Sequence, residues 1–468
     1  MTHPRRDDPT RQHAHRLSAE LAARRLSPVD LVDAIIARIE ATEPRLHAFV
    51  ETYFDEARLA AEAADRAIRA GHDVGPLHGI PIALKDLVEL EGRVATGGSA
   101  AWRQRRASRT ATLATKLIRA GMIVVGKTHM VEFAFGGWGT NQHMGTPWNP
   151  WDMKTHRIPG GSSSGSGVAV AARMVPWAIG TDTGGSVRLP ASFCGITGLK
   201  TTIGRVSTYG VLPLSPTLDT PGPITRCVED AALLYLVLQG EDPRDFRTRG
   251  REAGDVIGVL KRGIRGLRLA RIPAQERDGV DAEVLEAYDR SLELLEKAGA
   301  FVETIRLPCR FNDYAALTGR IMQAEAYALV GELAEDAAQM IDEAVRPRVL
   351  AGARISAKDY LSALSGRERL QAEFASALEG FDALLTPTTE TPAIPVADVD
   401  QDRTPARFTR FANLLELCGL AVPNGLTRAG LPTSLQIVCR GYDEATALRV
   451  GWAYQEMTDW HDRAPPEM

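Results

Sequence analysis

Apolar positions along the chain alternate between two spacings. Behind Ser27-Pro28, with Asp30 in the first turn, Leu31, Ile35 and Ile39 recur one helical turn apart and predict a helix. An alanine-rich helical stretch follows from Glu56 to Ala70 and stops at Gly71. Short apolar runs then alternate with amphipathic ones: GIPIAL reads as a strand, ATLATKLIRAG as a helix, MIVVG as a strand, GVAVAARMV as a helix and WAIGTD as a strand. CVEDAALLYLVLQG is a predicted helix and GLRLARIP a strand. Val284, Leu285, Tyr288, Leu292 and Leu295 line one face of a helix ending at Gly299, and FVETIRL follows as a strand. FDALLTPT and SLQIVC are further strands before a closing helix, DEATALRVGWAYQEM.

Apolar strands separated by helices predict an α/β protein, with a central mixed, mostly parallel sheet covered by helices on both faces. One large domain over 1–468 is expected: a helical N-terminal arm over 10–71, a core over 75–230, and the remaining sheet and substrate-pocket elements over 240–468. Gly240–Gly266 and Thr386–Arg407 are the most linker-like stretches, but neither is long enough to force a boundary.

Composition narrows the function classes. Fifty-five basic and 59 acidic residues leave a net charge of −4, so no basic field favours nucleic acid as a partner. The segment MTHPRRDDPTRQHAHR is too polar for a secretory signal, and the apolar runs are too short to span a bilayer, so no membrane association is expected. Five scattered cysteines without CxxC spacing point to reduced thiols and a cytoplasmic setting. No HExxH or His/Cys cluster suggests a metal, and no cofactor is implied. A homodimer is expected on frequency alone.

Two glycine-rich matches point the wrong way. Gly121-MIVV-Gly126-Lys127-Thr128 fits GxxxxGK[ST], but a phosphate cradle needs a loop there and Met-Ile-Val-Val belongs in a buried strand. Gly161-Ser-Ser163-Ser-Gly165 fits GxSxG, yet loop-like WNPWDMKTHRIP precedes it where a strand is required. His461 is the only histidine after it that could close a Ser-His-Asp triad.

A third arrangement is chemically coherent. In TDTGGS, Ser186 follows two glycines, so consecutive backbone N–H groups can converge on one point beside a serine nucleophile. Such a serine without a neighbouring histidine needs another base. A lysine serves if burial keeps it neutral, and Lys85 follows the apolar run Ile80-Pro-Ile-Ala-Leu84. A relay hydroxyl such as Ser162 would bridge the two.

PGGSSSGSGVAVAA followed by GTDTGGSVRLPASFCGITGLK resembles the signature block of the amidase signature family. GIPIALKD resembles its catalytic-lysine segment, GKTHMVEFAFG and GTPWNPW resemble intervening blocks, and GLPTSLQIV also fits. The resemblance implies Ser186 as nucleophile, Ser162 as a bridging serine held by a cis peptide bond, and Lys85 as general base. It also implies Thr183, Gly184, Gly185 and Ser186 as backbone donors of the oxyanion hole, with Asp182 and Arg188 in support. Ser164, also expected in support, stands where many members have glycine, and Thr201 where proline is common.

The expected activity is hydrolysis of a carboxamide to a carboxylate and ammonia or an amine through an acyl-Ser186 intermediate. A small-molecule amide is the expected partner. One alternative is the glutamine-hydrolysing A subunit of a tRNA-dependent amidotransferase. The alternative from another class is a binding protein on a retired amidase fold, against which the retention of Lys85, Ser162 and Ser186 argues.

Overall fold

The computed structural model describes residues 8–466, which leaves the first seven residues of the polar N-terminus outside the description. Eleven strands form one sheet: β1 (Phe49–Thr52), β2 (Pro81–Lys85), β3 (Ile123–Thr128), β4 (Trp177–Asp182), β5 (Thr197–Lys200), β6 (Thr220–Thr225), β7 (Arg268–Arg271), β8 (Phe301–Thr304), β9 (Ala383–Pro387), β10 (Cys418–Leu426) and β11 (Pro432–Cys439). Their order is β1-β3-β2-β4-β6-β5-β10-β11-β9-β7-β8.

The sheet is mixed, as expected, but its parallel part is confined to two segments. Parallel pairing joins β3, β2 and β4 on one side and β8, β7 and β9 on the other, while the six remaining pairings are antiparallel. All residues of β2, β4, β6 and β11 are buried, so both faces of the middle of the sheet are covered.

One detail of this sheet positions the candidate residues. β2 and β4 run parallel with Leu84 opposite Ile179, so Lys85 and Thr181-Asp182 emerge together at one carboxyl edge. Ligand sites of α/β sheets form at such edges. The P-loop match is resolved as well: Ile123–Thr128 is strand β3, and Lys127 is buried 3.5 Å from Asp86.

The helix behind Ser27 spans Pro28–Leu46. Its first turn is capped by the Ser27 hydroxyl, which accepts from Asp30 N–H at 3.0 Å, and it buries Leu31, Ile35 and Ile39. The N-terminal arm is not wholly helical, because β1 lies within it and pairs with β3 at the sheet edge. The arm is also held to the body by a buried carboxylate. Asp230 accepts from the N–H groups of Ala14 and His15 and from His15 Nδ1, all within 2.9 Å.

Several elements escape the sequence pattern for local reasons. β6 reads TPGPIT, whose prolines and glycine resemble a turn, yet it lies buried between β4 and β5. The helix Ala357–Ala377 buries only Ala363 and Phe374 and shows no apolar stripe. The helix Phe311–Glu335 departs from helical geometry at Val330, and Phe311, Tyr314, Thr318, Ile321 and Met322 are buried along it.

Candidate active site

Lys85 ends β2 with its side chain fully buried. Its Nζ lies 2.7 Å from Ser162 Oγ and 2.9 Å from Thr181 Oγ1. Burial pushes the ammonium down to about 7, with the negative charges of Asp219 and Asp182 opposing the fall. Held near 7, the Lys85 amine exchanges its proton near neutral pH. Ser162 follows a cis Gly161–Ser162 peptide and immediately precedes Ser163 and the helix Ser164–Ala171.

The second serine turn is brought onto the first. Ser163 N–H donates to the Ser186 carbonyl at 3.3 Å, and Ser186 lies at the start of the turn before the helix Arg188–Cys194. Asp182 organises this loop from the end of β4. It accepts from Gly185 N–H at 2.7 Å and from Val187 N–H at 3.1 Å, and the Arg188 guanidinium grips both its oxygens at 2.9 and 3.0 Å. Burial by itself would raise the Asp182 carboxyl, but the Arg188 charge and its hydrogen bonds hold it well below the usual carboxylate range. Arg188 spends its other N–H groups on the Thr409 carbonyl, Gln436 Oε1 and Asn413 Oδ1.

This pairing changes the oxyanion expectation at one position. Gly185 N–H is taken by Asp182, whereas among the described residues nothing accepts the N–H groups of Thr183, Gly184 or Ser186. Gly185 also has a positive φ of 135°, and a Cβ there would run into Thr409, so no other residue fits. The Arg188 network predicts a large stability effect. Arg188→Met leaves Asp182 buried and unpaired, and a loss of about 3–5 kcal/mol is expected, measured as the shift of the urea midpoint.

Thr183 is held in turn by Asp219, its Oγ1 donating at 2.5 Å, and Asp219 also accepts from the N–H groups of Leu214 and Ser215. Burial pushes the Asp219 carboxyl up to about 6 against those hydrogen bonds. Asp219, Asn413 and Gln436 carry no signal as site residues in the sequence: Gln436 is one polar position within the predicted strand SLQIVC, and Asp219 and Asn413 are isolated polar residues in a loop and a short helix.

Other candidates fall away from the site. The Ser164 hydroxyl lies 3.5 Å from the His129 carbonyl, and among the described residues no hydrogen bond joins it to Lys85, Ser162 or Ser186. Ser163 is fully buried and shares its Oγ with the backbone of Thr181 on β4, so it is no exposed nucleophile. His461 packs against His13, 5.7 Å between ring centroids, rather than near Ser163. Cys194 is buried with its Sγ on the Pro159 carbonyl, and burial raises its thiol.

Ser186 opens onto a cavity of about 220 Å³ that Gly184, Leu189, Met322, Arg348 and Arg410 also line. The Pro/Thr/Asp-rich stretch with the composition of a linker contributes its rim through Gln401, Asp402 and Arg403.

Residues 30–448 match the Amidase family. The A subunit of a glutamyl-tRNA(Gln) amidotransferase from Geobacter metallireducens is 37% identical, over 96% of this chain and 97% of its own. The A subunit of the glutamyl-tRNA(Gln) amidotransferase from Thermotoga maritima has a solved structure that superposes with a TM-score of 0.82 at 30% identity, covering 97% of both chains. A chain from a vestigial protein complex, described as revealing the origins of an s-triazine catabolic enzyme, superposes with a TM-score of 0.89 at 30% identity, covering 95% of this chain and 98% of its own. These relatives correct one expectation. A small-molecule amide as partner with no nucleic acid does not fit relatives that are named subunits of an amidotransferase of a glutamyl-tRNA. The error arose from net charge, which reports on the whole surface of one chain and not on what an assembly binds. No helix among the described residues is long and apolar enough to cross a membrane.

Proposed function

Because the chain belongs to the amidase family, we propose that it hydrolyses a carboxamide through an acyl-Ser186 intermediate and does so as the amide-cleaving A subunit of an amidotransferase. The contact that carries the chemistry is Lys85 Nζ to Ser162 Oγ at 2.7 Å in a fully buried setting. Ser186 Oγ attacks the amide carbonyl carbon while its proton passes to Ser162, whose own proton moves to neutral Lys85. The free N–H groups of Thr183, Gly184 and Ser186 stabilise the negative oxygen of the tetrahedral intermediate. Collapse breaks the C–N bond, and the proton returns through Ser162 to the leaving nitrogen. Water then attacks the acyl ester by the same relay, releasing the carboxylate and restoring Ser186.

The assignment to a multi-chain enzyme rests on near full-length likeness to amidotransferase A subunits. Purification of the tagged chain from its own cells, followed by mass spectrometry and a glutaminase assay with and without glutamyl-tRNA, tests it. Stable partner chains and hydrolysis stimulated by the charged tRNA are expected. An isolated chain whose amide turnover ignores both would return the protein to a stand-alone amidase.

A further inference from the structure

Three distant parts of the chain bring metal-ligating side chains together outside the candidate active site. His13 and His15 stand at the start of the helix Ala14–Ala22, Cys227 and Asp230 at the start of the helix Val228–Leu238, and His461 and Asp462 in the turn Trp460–Asp462. One ligand atom each of His13, Cys227 and Asp230 lie within 4.8 Å of one another, and all three residues are buried. His15 Nδ1 joins them, 2.8 Å from Asp230 Oδ1 and 3.8 Å from Cys227 Sγ. His13, His461 and Asp462 form a second grouping, which reaches the surface through Asp462.

Helix capping explains part of this cluster, since Asp230 accepts from the N–H groups of Ala14 and His15. It does not explain a thiol and two imidazoles gathered around that carboxylate. Nor does it explain the His13 ring. Asp462 accepts from His13 Nε2–H at 2.8 Å, which puts the lone pair on Nδ1, and among the described residues nothing donates to that buried atom. A carboxylate behind one imidazole nitrogen, with the lone pair of the other free, is the arrangement that orients metal-bound histidines.

We propose that His13, His15, Cys227 and Asp230 bind one divalent cation of the zinc class, which fastens the N-terminal arm to the body. Two imidazoles, a thiolate and a carboxylate make a mixed nitrogen, sulfur and oxygen set that suits tetrahedral Zn²⁺. Zn–N and Zn–S bonds of about 2.0–2.3 Å place such donors roughly 3.3–3.6 Å apart, so separations of up to 4.8 Å close by rotation of the side chains. On binding, the Cys227 S–H proton leaves to solvent as the S–Zn bond forms. His15 gives up its Nδ1–H for the tautomer protonated on Nε2, and its side chain, 24% exposed, lets water accept from that nitrogen. The charges also match. The cation and buried Arg226, whose guanidinium donates to carbonyls of the arm, meet the thiolate, Asp230 and Asp462. No sequence motif announces the site, because His15 and Cys227 are 212 positions apart.

The test uses the full chain with a histidine-free tag, stripped by a chelator and titrated with Co²⁺ as a spectroscopic stand-in for Zn²⁺. A single equivalent is expected to give tetrahedral d–d bands and a thiolate-to-cobalt charge-transfer band, and Zn²⁺ to erase both. Cys227→Ser should lose the charge-transfer band, whereas Cys309→Ser, at the one cysteine that is only half-buried, should keep it. Asp462→Asn alters an exposed carboxylate that orients His13, and should weaken Zn²⁺ binding by about 10- to 100-fold. Zn²⁺ should raise the urea midpoint of the unaltered protein and leave that of His13→Ala in place. Circular dichroism reports the fold of each variant, and Cys227→Ser and Asp462→Asn decide the matter if His13→Ala does not fold. Absence of the bands from the unaltered protein overturns the site, as does a charge-transfer band that survives Cys227→Ser or an unchanged Zn²⁺ affinity in Asp462→Asn.

Discussion

Ser186→Ala is expected to lower kcat/KM for amide hydrolysis by about 10⁴-fold or more, the scale on which loss of a nucleophile acts elsewhere. The variant should keep its fold. Asp182, Arg188, Asn413 and Gln436 organise the loop through backbone atoms and through one another, and none of their hydrogen bonds uses the Ser186 hydroxyl. Fluorophosphonate labelling should vanish with the hydroxyl, while circular dichroism and the urea midpoint stay near those of the unaltered protein. Retained activity would remove Ser186 from the mechanism. Labelling that persists at Ser163 would instead reinstate the GxSxG reading, against the bonding of that hydroxyl to β4.

Lys85→Ala is expected to cost about 10²–10⁴-fold, the usual contribution of a positioned general base. The pH profile carries the sharper content. The base works as the free amine, and burial holds Lys85 near 7, so kcat/KM should rise with pH through about 7 and level off above it. A second consequence concerns stability. The unfolded lysine keeps its proton to about pH 10, while the folded one releases it near 7. Between those values the unfolded state binds more protons, so the Lys85 contribution makes stability rise with pH across that window. Lys85→Met should remove that slope together with the activity. Urea titrations of both proteins at about pH 7 and about pH 9.5 would reveal it, and an identical pH dependence in the two would argue against a depressed Lys85.

How much of the molecule is legible in its sequence varies with the kind of residue. Strands such as β2, β3 and β4 are readable because buried strands leave continuous apolar runs. Ser186 is readable because two glycines before a serine constrain the backbone directly. The oxyanion loop is only partly readable. That Gly185 N–H serves Asp182 and not the substrate depends on where a carboxylate from the end of β4 settles. Ser164 shows the opposite error: one residue from Ser163 in sequence, it turns toward His129 because helical geometry swings successive side chains to different faces.

The sequence by itself determined the elements and the local chemistry: apolar runs for the parallel strands, a serine on a glycine turn, a lysine at the end of a strand. These follow from interactions within a few residues, which spacing and residue type encode. Only the tertiary structure decided that Lys85 meets Ser162 and Thr181, that Asp182 is held by Arg188 and Asn413, with Gln436 bracing the arginine, and that Arg348 and Arg410 line one cavity with Ser186. Those hydrogen bonds join positions from 6 to 248 apart in the chain. Their burial, and hence the lowered Lys85, exists only once the sheet has closed water out.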